Sequence, residues 1–297
     1  MSASNRRPAI LELQSEFEFT AEHFQCVKQL IYRVAGISLA DSKRSMVYSR
    51  LVRRLRITGA ESFDAYLRQL DYPQAPEWEY FVNALTTNLT SFFRESHHFD
   101  YLKQTLLTLA QQRPRREINI WCCAASTGEE PYTIAITAME AFGSETPPVR
   151  ILATDIDTHV LETAQRGVYS EEQVKKVGMP QIQRYFLRGK GTQDGQIRIR
   201  DEVKRLLSFR AVNLLAPDWR VRPGFDMIFC RNVMIYFDKP TQMGLLSRFA
   251  PLLNQEGLLF VGHSESFTHA GVPFKLLGKT IYQVLPDAAF REMRGRS

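Results

Sequence analysis

The run AASTGEEP follows the apolar segment INIWCC and has the residue types of a ligand-binding turn. Its small side chains let the backbone approach a ligand closely, Gly128 permits a tight turn, and Pro131 suits the first turn of a following helix. The N-terminus of that helix would favour the carboxylate of a bound amino acid. An ordinary connection between a strand and a helix has the same features, so the turn alone leaves both interpretations open.

An acidic residue favours the ligand-binding interpretation. Asp155 ends a second apolar run, VRILATD, downstream of the turn. In dinucleotide folds a carboxylate about 20 residues after the glycine turn binds the ribose hydroxyls, and the interval here is somewhat longer. Asp155 could instead cap the helix HVLETAQRG, although Asp157 is the better candidate for that cap. The pairing of the turn with this acid predicts a nucleoside ligand. The turn lacks the G-x-x-x-x-G-K-[ST] pattern of triphosphate-binding loops, which disfavours a triphosphate and leaves a dinucleotide open.

Two further apolar runs end in polar groups. Asn213 and Leu214 offer an amide for the edge of an adenine ring and an apolar wall for its face. Arg231 and Asn232 follow the run FDMIFC, and Tyr236 should lie on the next turn. Since ligands of an open parallel sheet bind beyond the carboxyl ends of its strands, these residues should converge on one site.

The segments that must position these residues alternate between strands and helices. Five apolar runs are typical of strands that are buried on both faces, as in a parallel sheet covered by helices. Amphipathic segments such as PYTIAITAMEAF predict the helices between them. The predicted fold class is therefore α/β, a Rossmann-like, doubly wound domain. The five runs are INIWCCA, VRILATD, LLSFRAVN, FDMIFCRN and GLLFVGHS.

The N-terminal part has apolar residues at helical spacing only. The patterns in FQCVKQLIYRVAGISL, SMVYSRLVRRLRITG and SFDAYLRQL predict three helices, of which the first two end at Gly36 and Gly59. A fourth helix is predicted to begin at Glu77, next to a proline. We therefore expect an all-α N-terminal domain before the α/β domain.

These patterns predict the domain limits. The N-terminal helical domain is expected at 15–87, a polar linker at 88–100 and the α/β domain at 101–288. Residues 169–205 interrupt the alternation with a helix-like segment and the glycine-rich RGKGTQDGQIRIR, which predicts a small β-subdomain built on a hairpin. The termini, 1–14 and 289–297, are expected to be flexible.

The composition limits the class of protein. The chain of 297 residues suits two domains, and its 44% hydrophobic and 24% charged residues argue against disorder or a fibrous repeat. No apolar run approaches the ~20 residues that cross a bilayer, so we expect a cytoplasmic protein without membrane insertion. The four cysteines lack a metal-binding spacing. The net charge of +6 fits an acidic partner, whether nucleic acid, anionic lipid or protein.

With these segments in order, the chain resembles the CheR-type enzymes, the chemotaxis receptor glutamate methyltransferases. The resemblance extends from about Phe17 to Pro286 and rests on TTNLTSFFRE, CCAASTGEEPY, ATDID, NLL, FDMIFCRNVMIYFD and GLLFVGHSE. It implies a class I methyltransferase domain that uses S-adenosylmethionine and yields S-adenosylhomocysteine, and a linker that closes over this cofactor. The cofactor contacts that it implies are Asn88, Thr90, Arg94, Glu130, Asp155, Asn213, Leu214, Arg231 and Asn232, with Glu129 as the alternative to Glu130.

The same resemblance implies a glutamate side chain of a chemoreceptor as the substrate, which becomes a methyl ester during sensory adaptation. A glutamate with a pKa of about 4.3 is already a carboxylate near neutral pH, so no general base is required. We expect Arg94 to hold this carboxylate and Tyr236 to orient it or the cofactor. His97, His98 and His263 are expected to be structural. No metal is predicted, because adjacent histidines on a helix point to different faces.

Two surfaces are expected to bring enzyme and receptor together. Arg53, Arg54 and Arg56, together with Arg50, lie on one N-terminal helix and would dock an acidic methylation helix of the receptor. The insertion 169–205 could grip a C-terminal receptor peptide by adding a strand to its edge, as in some family members. We expect a monomer that is recruited from the cytoplasm to membrane receptor arrays and has no nucleic-acid partner.

Two other functions remain open from the residues. A nucleic-acid methyltransferase would share the cofactor fold and the basic charge, but the N-P-P-Y motif common at its fourth strand is replaced here by RNVMIY. A non-catalytic module could bind the cofactor or a receptor peptide, but it would not require the complete set of motifs.

Overall fold

A computed structural model of the chain describes residues 16–72, 74–267 and 272–286. The two predicted flexible termini, 1–14 and 289–297, lie outside these residues. Within the described ranges, no helix combines the length and apolarity needed to span a membrane.

Four helices form the N-terminal domain, as predicted. They are α1 (Ala21–Ala35), α2 (Arg44–Thr58), α3 (Phe63–Arg68) and α4 (Glu77–Leu85). Gly36 and Gly59 end the first two helices with φ of 68° each, a left-handed conformation that glycine adopts without strain. One apolar face of each helix packs into a common core that excludes water.

The second domain is built on a seven-stranded sheet. The strands are β1 (Ile118–Cys122), β2 (Val149–Asp155), β6 (Leu207–Ala211), β7 (Phe225–Cys230), β8 (Leu253–Val261), β9 (Phe274–Gly278) and β10 (Ile281–Val284). Their order is β6-β2-β1-β7-β8-β10-β9. The first five are parallel, whereas β10 runs antiparallel to both of its neighbours. The order reverses between β1 and β7, which is where doubly wound sheets bind ligands.

Helices cover both faces of this sheet. They are α5 (His97–Gln112), α6 (Glu129–Phe142), α7 (Thr158–Arg166) and α10 (Lys239–Phe249). All six residues of β7 are buried, and aromatic side chains fill the layers beside it, for example Phe229 and Phe260 with stacked rings 4.2 Å apart. The continuous apolar runs of the sequence are therefore explained by burial on both faces.

Two helix boundaries and two strands differ from the sequence prediction. Helix α5 begins at His97 and α6 at Glu129, each before the apolar run that predicted it. Strands β9 and β10 were not predicted, because the segments FKLLG and IYQV are short and polar residues interrupt them. All five predicted parallel strands are confirmed.

The predicted β-subdomain is present between α7 and β6. It consists of β3 (Val168–Ser170), α8 (Met179–Tyr185), β4 (Phe186–Arg188), β5 (Gln196–Ile199) and the short α9 (Asp201–Lys204). The predicted hairpin corresponds to β4 and β5, and β3 adds a third antiparallel strand on the other side of β5. Strand β3, which had not been predicted, proves important because it lies against the turn after β1.

Candidate active site

A cavity of about 350 Å³ lies at the carboxyl ends of β1, β2, β6 and β7. This volume is within the range of small-molecule sites. All the residues predicted to bind the cofactor or act in catalysis line it, namely Asn88, Thr90, Arg94, Glu130, Asp155, Asn213, Leu214, Arg231, Asn232 and Tyr236. The fold therefore brings together side chains that are up to half the chain apart in sequence.

The turn after β1 has the tight backbone that its small residues predicted. Ser126 and Gly128 have φ of 49° and 101°. A Cβ atom on Gly128 would lie 2.7 Å from the hydroxyl of Tyr169 and 2.9 Å from the Cβ of Ala164, so no other residue fits there without displacement. Positive φ at the non-glycine Ser126 marks strain of the kind that concentrates at functional sites.

Asp155 faces the cavity across this turn. One carboxylate oxygen accepts the backbone N–H of Ser126 at 2.8 Å, and the other accepts that of Asp157 at 3.0 Å. Burial raises the pKa of Asp155 to about 6, even though these hydrogen bonds act to lower it. Each oxygen keeps a lone pair, so the carboxylate can accept two ligand hydroxyls.

Asp157 has the capping role that was predicted for it. Its side chain accepts the N–H groups of His159 and Val160 at the start of α7. Its other oxygen accepts hydrogen bonds from the Thr86 hydroxyl at 2.7 Å and from the Asn88 amide at 2.8 Å. Asp157 thus connects α7 with the linker between the two domains.

The two neighbouring glutamates differ in environment. Glu130 lines the cavity, whereas Glu129 does not. The carboxylate of Glu129 is buried and accepts hydrogen bonds from the Thr127 hydroxyl at 2.6 Å and from the Gln173 amide at 3.5 Å. Glu129 therefore supports the turn, and Glu130 is the glutamate that a ligand in the cavity could reach.

Arg231 is buried in the wall of the cavity between two carboxylates. Its guanidinium donates to Glu130 at 2.6 Å and to the backbone oxygen of Arg94 at 2.7 Å, and it lies 3.1 Å from Glu95. Burial acts to raise the pKa of Glu95, but hydrogen bonding to His263 and the charge of Arg231 lower that pKa to about 2. Arg231 therefore fixes the cavity wall, with its charge already neutralised by protein groups.

Glu265 organises the loop after β7 and was missed by the sequence analysis. This buried carboxylate accepts the backbone N–H groups of Asn232 at 2.9 Å, Ile235 at 3.2 Å and Gly262 at 2.5 Å. Asn232 has φ of 57°. A Cβ atom on Gly262 would lie 2.3 Å from the side-chain amide nitrogen of Asn232, so the two residues pack tightly. The acid in GLLFVGHSE was the available signal, because a glutamate buried in the loop after a strand requires partners.

The N-terminal domain forms one wall of the cavity, which the sequence analysis also missed. The amide nitrogen of Asn213 donates to the backbone oxygen of Val34 at 2.7 Å, and the N–H of Ser38 donates to the backbone oxygen of Tyr236 at 2.9 Å. Gly36 packs so closely that a Cβ would lie 2.7 Å from the side chain of Leu215. The residues of the N-terminal domain that line the cavity are Ala35, Ile37, Ser38, Leu39, Ala40, Lys43, Met46, Leu85, Thr86 and Thr87.

The two predicted catalytic residues lie on different elements of the cavity wall. Arg94 lies within the linker and donates to the backbone oxygen of Leu89 at 2.8 Å, which leaves the other guanidinium nitrogens available. Tyr236 ends a 3₁₀ turn after β7 and is partly exposed. Within the described ranges, its hydroxyl makes no hydrogen bond to another residue.

The histidine prediction requires a correction. His97 and His98 do not point apart, because their rings are 4.3 Å apart, and they lie with Glu95 in a group whose potential ligand atoms are within 4.8 Å. His98 is buried against the backbone oxygen of Lys279, and burial lowers its pKa to about 4. The guanidinium of Arg231 and the N-terminus of α5 both oppose a cation there, so a structural role remains the better interpretation.

The predicted docking arginines on α2 have different environments. Arg54 makes two hydrogen bonds, of 2.8 and 2.7 Å, to Glu77, and Arg56 pairs with Glu16. Arg50 donates to the backbone oxygen of Thr86 at 2.6 Å, whereas Arg53 is exposed. Arg54 thus has an internal role in the helical domain, and Arg53 is the most available of these cations.

A doubly wound sheet ending in an antiparallel pair, with a small-residue turn and a buried acid at one cavity, is the arrangement of a class I methyltransferase. Residues 88–283 match the family model described as "CheR methyltransferase, SAM binding domain", and residues 22–86 match "CheR methyltransferase, all-alpha domain". The chain therefore belongs to the CheR methyltransferase family, and its cofactor is S-adenosylmethionine.

Curated relatives support this assignment. The chain is 52% identical to "Chemotaxis protein methyltransferase 2" of Pseudomonas aeruginosa, over 90% of this chain and 94% of that protein. It is 48% identical to "Chemotaxis protein methyltransferase" of Salmonella typhimurium, over 96% and 98% of the two chains. The protein of the same name from Escherichia coli is also 48% identical, over 94% and 96%.

Tyr169 gives a first test of how the cofactor turn is held. Its hydroxyl donates to the backbone oxygen of Thr127 at 2.8 Å. Since such a bond contributes about 1 kcal/mol, Tyr169→Phe should weaken S-adenosylmethionine binding about fivefold, with little change in kcat. Calorimetry and steady-state kinetics measure the two effects.

Tyr185→Phe is the matched control for Tyr169→Phe. It removes a buried hydroxyl of the same subdomain that has no partner among the described residues. The control should bind the cofactor like the wild type, and equal loss in both variants would contradict the role of Tyr169.

Proposed function

We propose that the protein transfers the methyl group of S-adenosylmethionine to glutamate side chains of chemoreceptors. The observation that carries this proposal is the pair Arg94 and Tyr236 on the wall of the cofactor cavity, beside two carboxylates that share the charge of Arg231. A cation and a hydroxyl suit an incoming carboxylate. A glutamate is ionised near neutral pH and needs no general base.

The described residues fit the cofactor. The carboxylate of Asp155 has two free lone pairs for the ribose hydroxyls, and Leu214 offers an apolar surface for the adenine ring. The Asn213 side chain already bonds to Val34 and Leu215, so only its remaining N–H is available for a ring nitrogen. Glu130 supplies a negative charge for the ammonium group of the methionine part.

S-adenosylmethionine supplies a methyl group on a positively charged sulfur, which a nucleophile can accept directly. In our proposal, Arg94 orients the substrate carboxylate, and the hydroxyl of Tyr236 fixes its second oxygen. The new bond joins a carboxylate oxygen to the methyl carbon, while the sulfur keeps the electron pair of the broken bond. No proton is transferred, so the products are a methyl ester and S-adenosylhomocysteine.

The proposed partners follow from the same reaction. A receptor methylation helix rich in acidic side chains would dock against α2, where Arg53 is exposed. Strands β3 and β4 are the two edge strands of the β-subdomain, and an edge strand could accept a C-terminal receptor peptide as an added strand. Such a tether would recruit a monomeric enzyme from the cytoplasm to receptor arrays by raising its local concentration.

Labelling tests this function. The protein is incubated with methyl-labelled S-adenosylmethionine and either a receptor cytoplasmic fragment or RNA. We expect label on the receptor that mild base releases as methanol, because esters hydrolyse readily. Base-stable label on the receptor would contradict glutamate methylation, and label on RNA would support a nucleic-acid methyltransferase instead.

The two proposed catalytic side chains can be tested separately. Arg94→Ala removes a charge-assisted contact and should lower kcat by about 10- to 100-fold, and Tyr236→Phe removes one hydroxyl and should lower it by about tenfold. Both variants should unfold at nearly the wild-type temperature, because both side chains are partly exposed. Near-normal turnover in either variant would remove that residue from the mechanism.

A further inference from the structure

Two large apolar side chains are exposed at the cavity. Leu89 is 80% exposed and Ile235 is 51% exposed, and both also line the cavity wall. We call these two residues the apolar rim. Exposed apolar side chains are common singly, but a pair beside a binding cavity marks a surface that another molecule covers.

The backbone on both sides of the rim is firmly held. The backbone oxygen of Leu89 accepts a hydrogen bond from Arg94 at 2.8 Å, and that of Asn88 accepts one from the Ser126 hydroxyl at 2.9 Å. The N–H of Ile235 donates to the buried Glu265 at 3.2 Å. The rim is therefore a preorganised surface, and its exposure does not come from a loosely bonded loop.

A row of cations starts at the same cavity. Lys43 lines the cavity at the start of α2, and Arg50 and Arg53 follow at positions seven and ten residues later, on one face of the helix. Lys43 and Arg53 are exposed and Arg50 is partly exposed. A partner that covers the rim would thus also lie beside the positively charged face of α2.

We propose that the apolar rim and the row Lys43, Arg50 and Arg53 together bind one amphipathic, acidic helix of the receptor. Its apolar residues pack on Leu89 and Ile235, its flanking carboxylates face α2, and one glutamate between them enters the cavity. The rim then selects glutamates that have an apolar neighbour one helical turn away, because a charged neighbour would lose its hydration there. This inference rests on the proposed function.

Rim variants test the inference. Leu89→Ser and Ile235→Ser should each raise the KM for a receptor cytoplasmic fragment, and the double variant should raise it at least tenfold, since each removes one buried apolar contact. The kcat and the dissociation constant of S-adenosylmethionine should stay within twofold of the wild type. Leu276→Ser, at a 43% exposed leucine on β9, is the matched control and should leave the KM unchanged.

Salt separates the rim from the cations. Arg53→Glu should raise the same KM and make it less sensitive to ionic strength, because it removes a screened attraction. The double rim variant should keep the wild-type salt dependence, because its lost contact is apolar. The assignment would be overturned if the double rim variant changed the salt dependence of the KM, or if it lowered the affinity for S-adenosylmethionine.

The remaining outcomes distinguish this inference from the function on which it rests. If the wild type places no base-labile label on the receptor, the proposed function fails. If it does and the double rim variant keeps the wild-type KM, only the rim assignment fails. Sedimentation with vesicles of anionic phospholipid should be equal for both proteins, and a loss in the variant without a change in receptor KM would assign the rim to membranes.

Discussion

Arg231→Met should lower the free energy of unfolding by about 3–5 kcal/mol, because it leaves the buried carboxylate of Glu130 and the mostly buried one of Glu95 without their shared cation. The carboxylate of Glu130 lies 2.6 Å from this guanidinium, and that of Glu95 lies 3.1 Å from it. The side chain of Arg231 itself is completely buried. Methionine fills a similar volume, so the loss reports charge and not a cavity. Denaturant unfolding of the two proteins at pH 7 measures the difference.

Arg150→Met is the matched control. Arg150 pairs with Glu117 at 3.0 Å, but both side chains are more than half exposed. Exposed pairs contribute about 0–1 kcal/mol, so this variant should unfold almost like the wild type. The double variant Arg231→Met, Glu130→Gln should recover part of the lost stability, since it removes one of the unpaired charges. Equal stability of the Arg231 and Arg150 variants would contradict the structural role of Arg231.

Asp155→Asn should weaken S-adenosylmethionine binding by at least about 100-fold, because it replaces a charged acceptor of two hydroxyls by a neutral amide. The fold should survive, since the amide oxygen can still accept one of the two backbone N–H groups that bond to Asp155. Asp157→Asn is a control for the position, because Asp157 caps α7 and contacts the linker. The control should lose stability with a smaller loss of cofactor affinity.

The pKa of Asp155 also predicts how binding depends on pH. Burial raises this pKa to about 6, and only the carboxylate accepts both ribose hydroxyls. Protonation therefore competes with the cofactor, and the dissociation constant should rise as pH falls below about 6, approaching tenfold for each pH unit. Burial also raises the pKa of Glu130, so calorimetry on Asp155→Asn is needed to assign the effect. If the dissociation constant of the wild type stayed constant from pH 7 to pH 5, the predicted competition between protonation of Asp155 and cofactor binding would be wrong.

The sequence predicted the strands and the residues that follow them. A strand that is buried on both faces has a continuous apolar run in the sequence. A polar residue that ends such a run, such as Asp155 or Asn213, is therefore easily recognised. Three antiparallel strands, β3, β9 and β10, were missed because they carry no comparable apolar run.

The partners of each charged side chain were not predictable. Arg54 and Arg53 are adjacent in the sequence, yet one binds Glu77 inside the helical domain and the other faces solvent. Arg231 was expected to contact the cofactor, and the structure shows that carboxylates from the linker and from α6 already surround it. Such pairings depend on contacts between distant elements, which a pattern within one segment does not specify.

The contact surface between the N-terminal domain and the α/β domain, which we call the seam, has a consequence for how this family can diversify. On the N-terminal side, Val34 and Ser38 contribute main-chain groups to the seam, and Gly36 contributes the absence of a side chain. A contact made by main-chain groups survives most side-chain substitutions. The exposed residues of α2 can therefore change during evolution while these contacts between the domains are kept. Gly36 is one exception, and side chains that bond across the seam, such as Thr86 to Asp157 and Tyr32 to Asp238, are others. A lineage could therefore change the exposed surface of α2 without altering the chamber that holds its methyl donor.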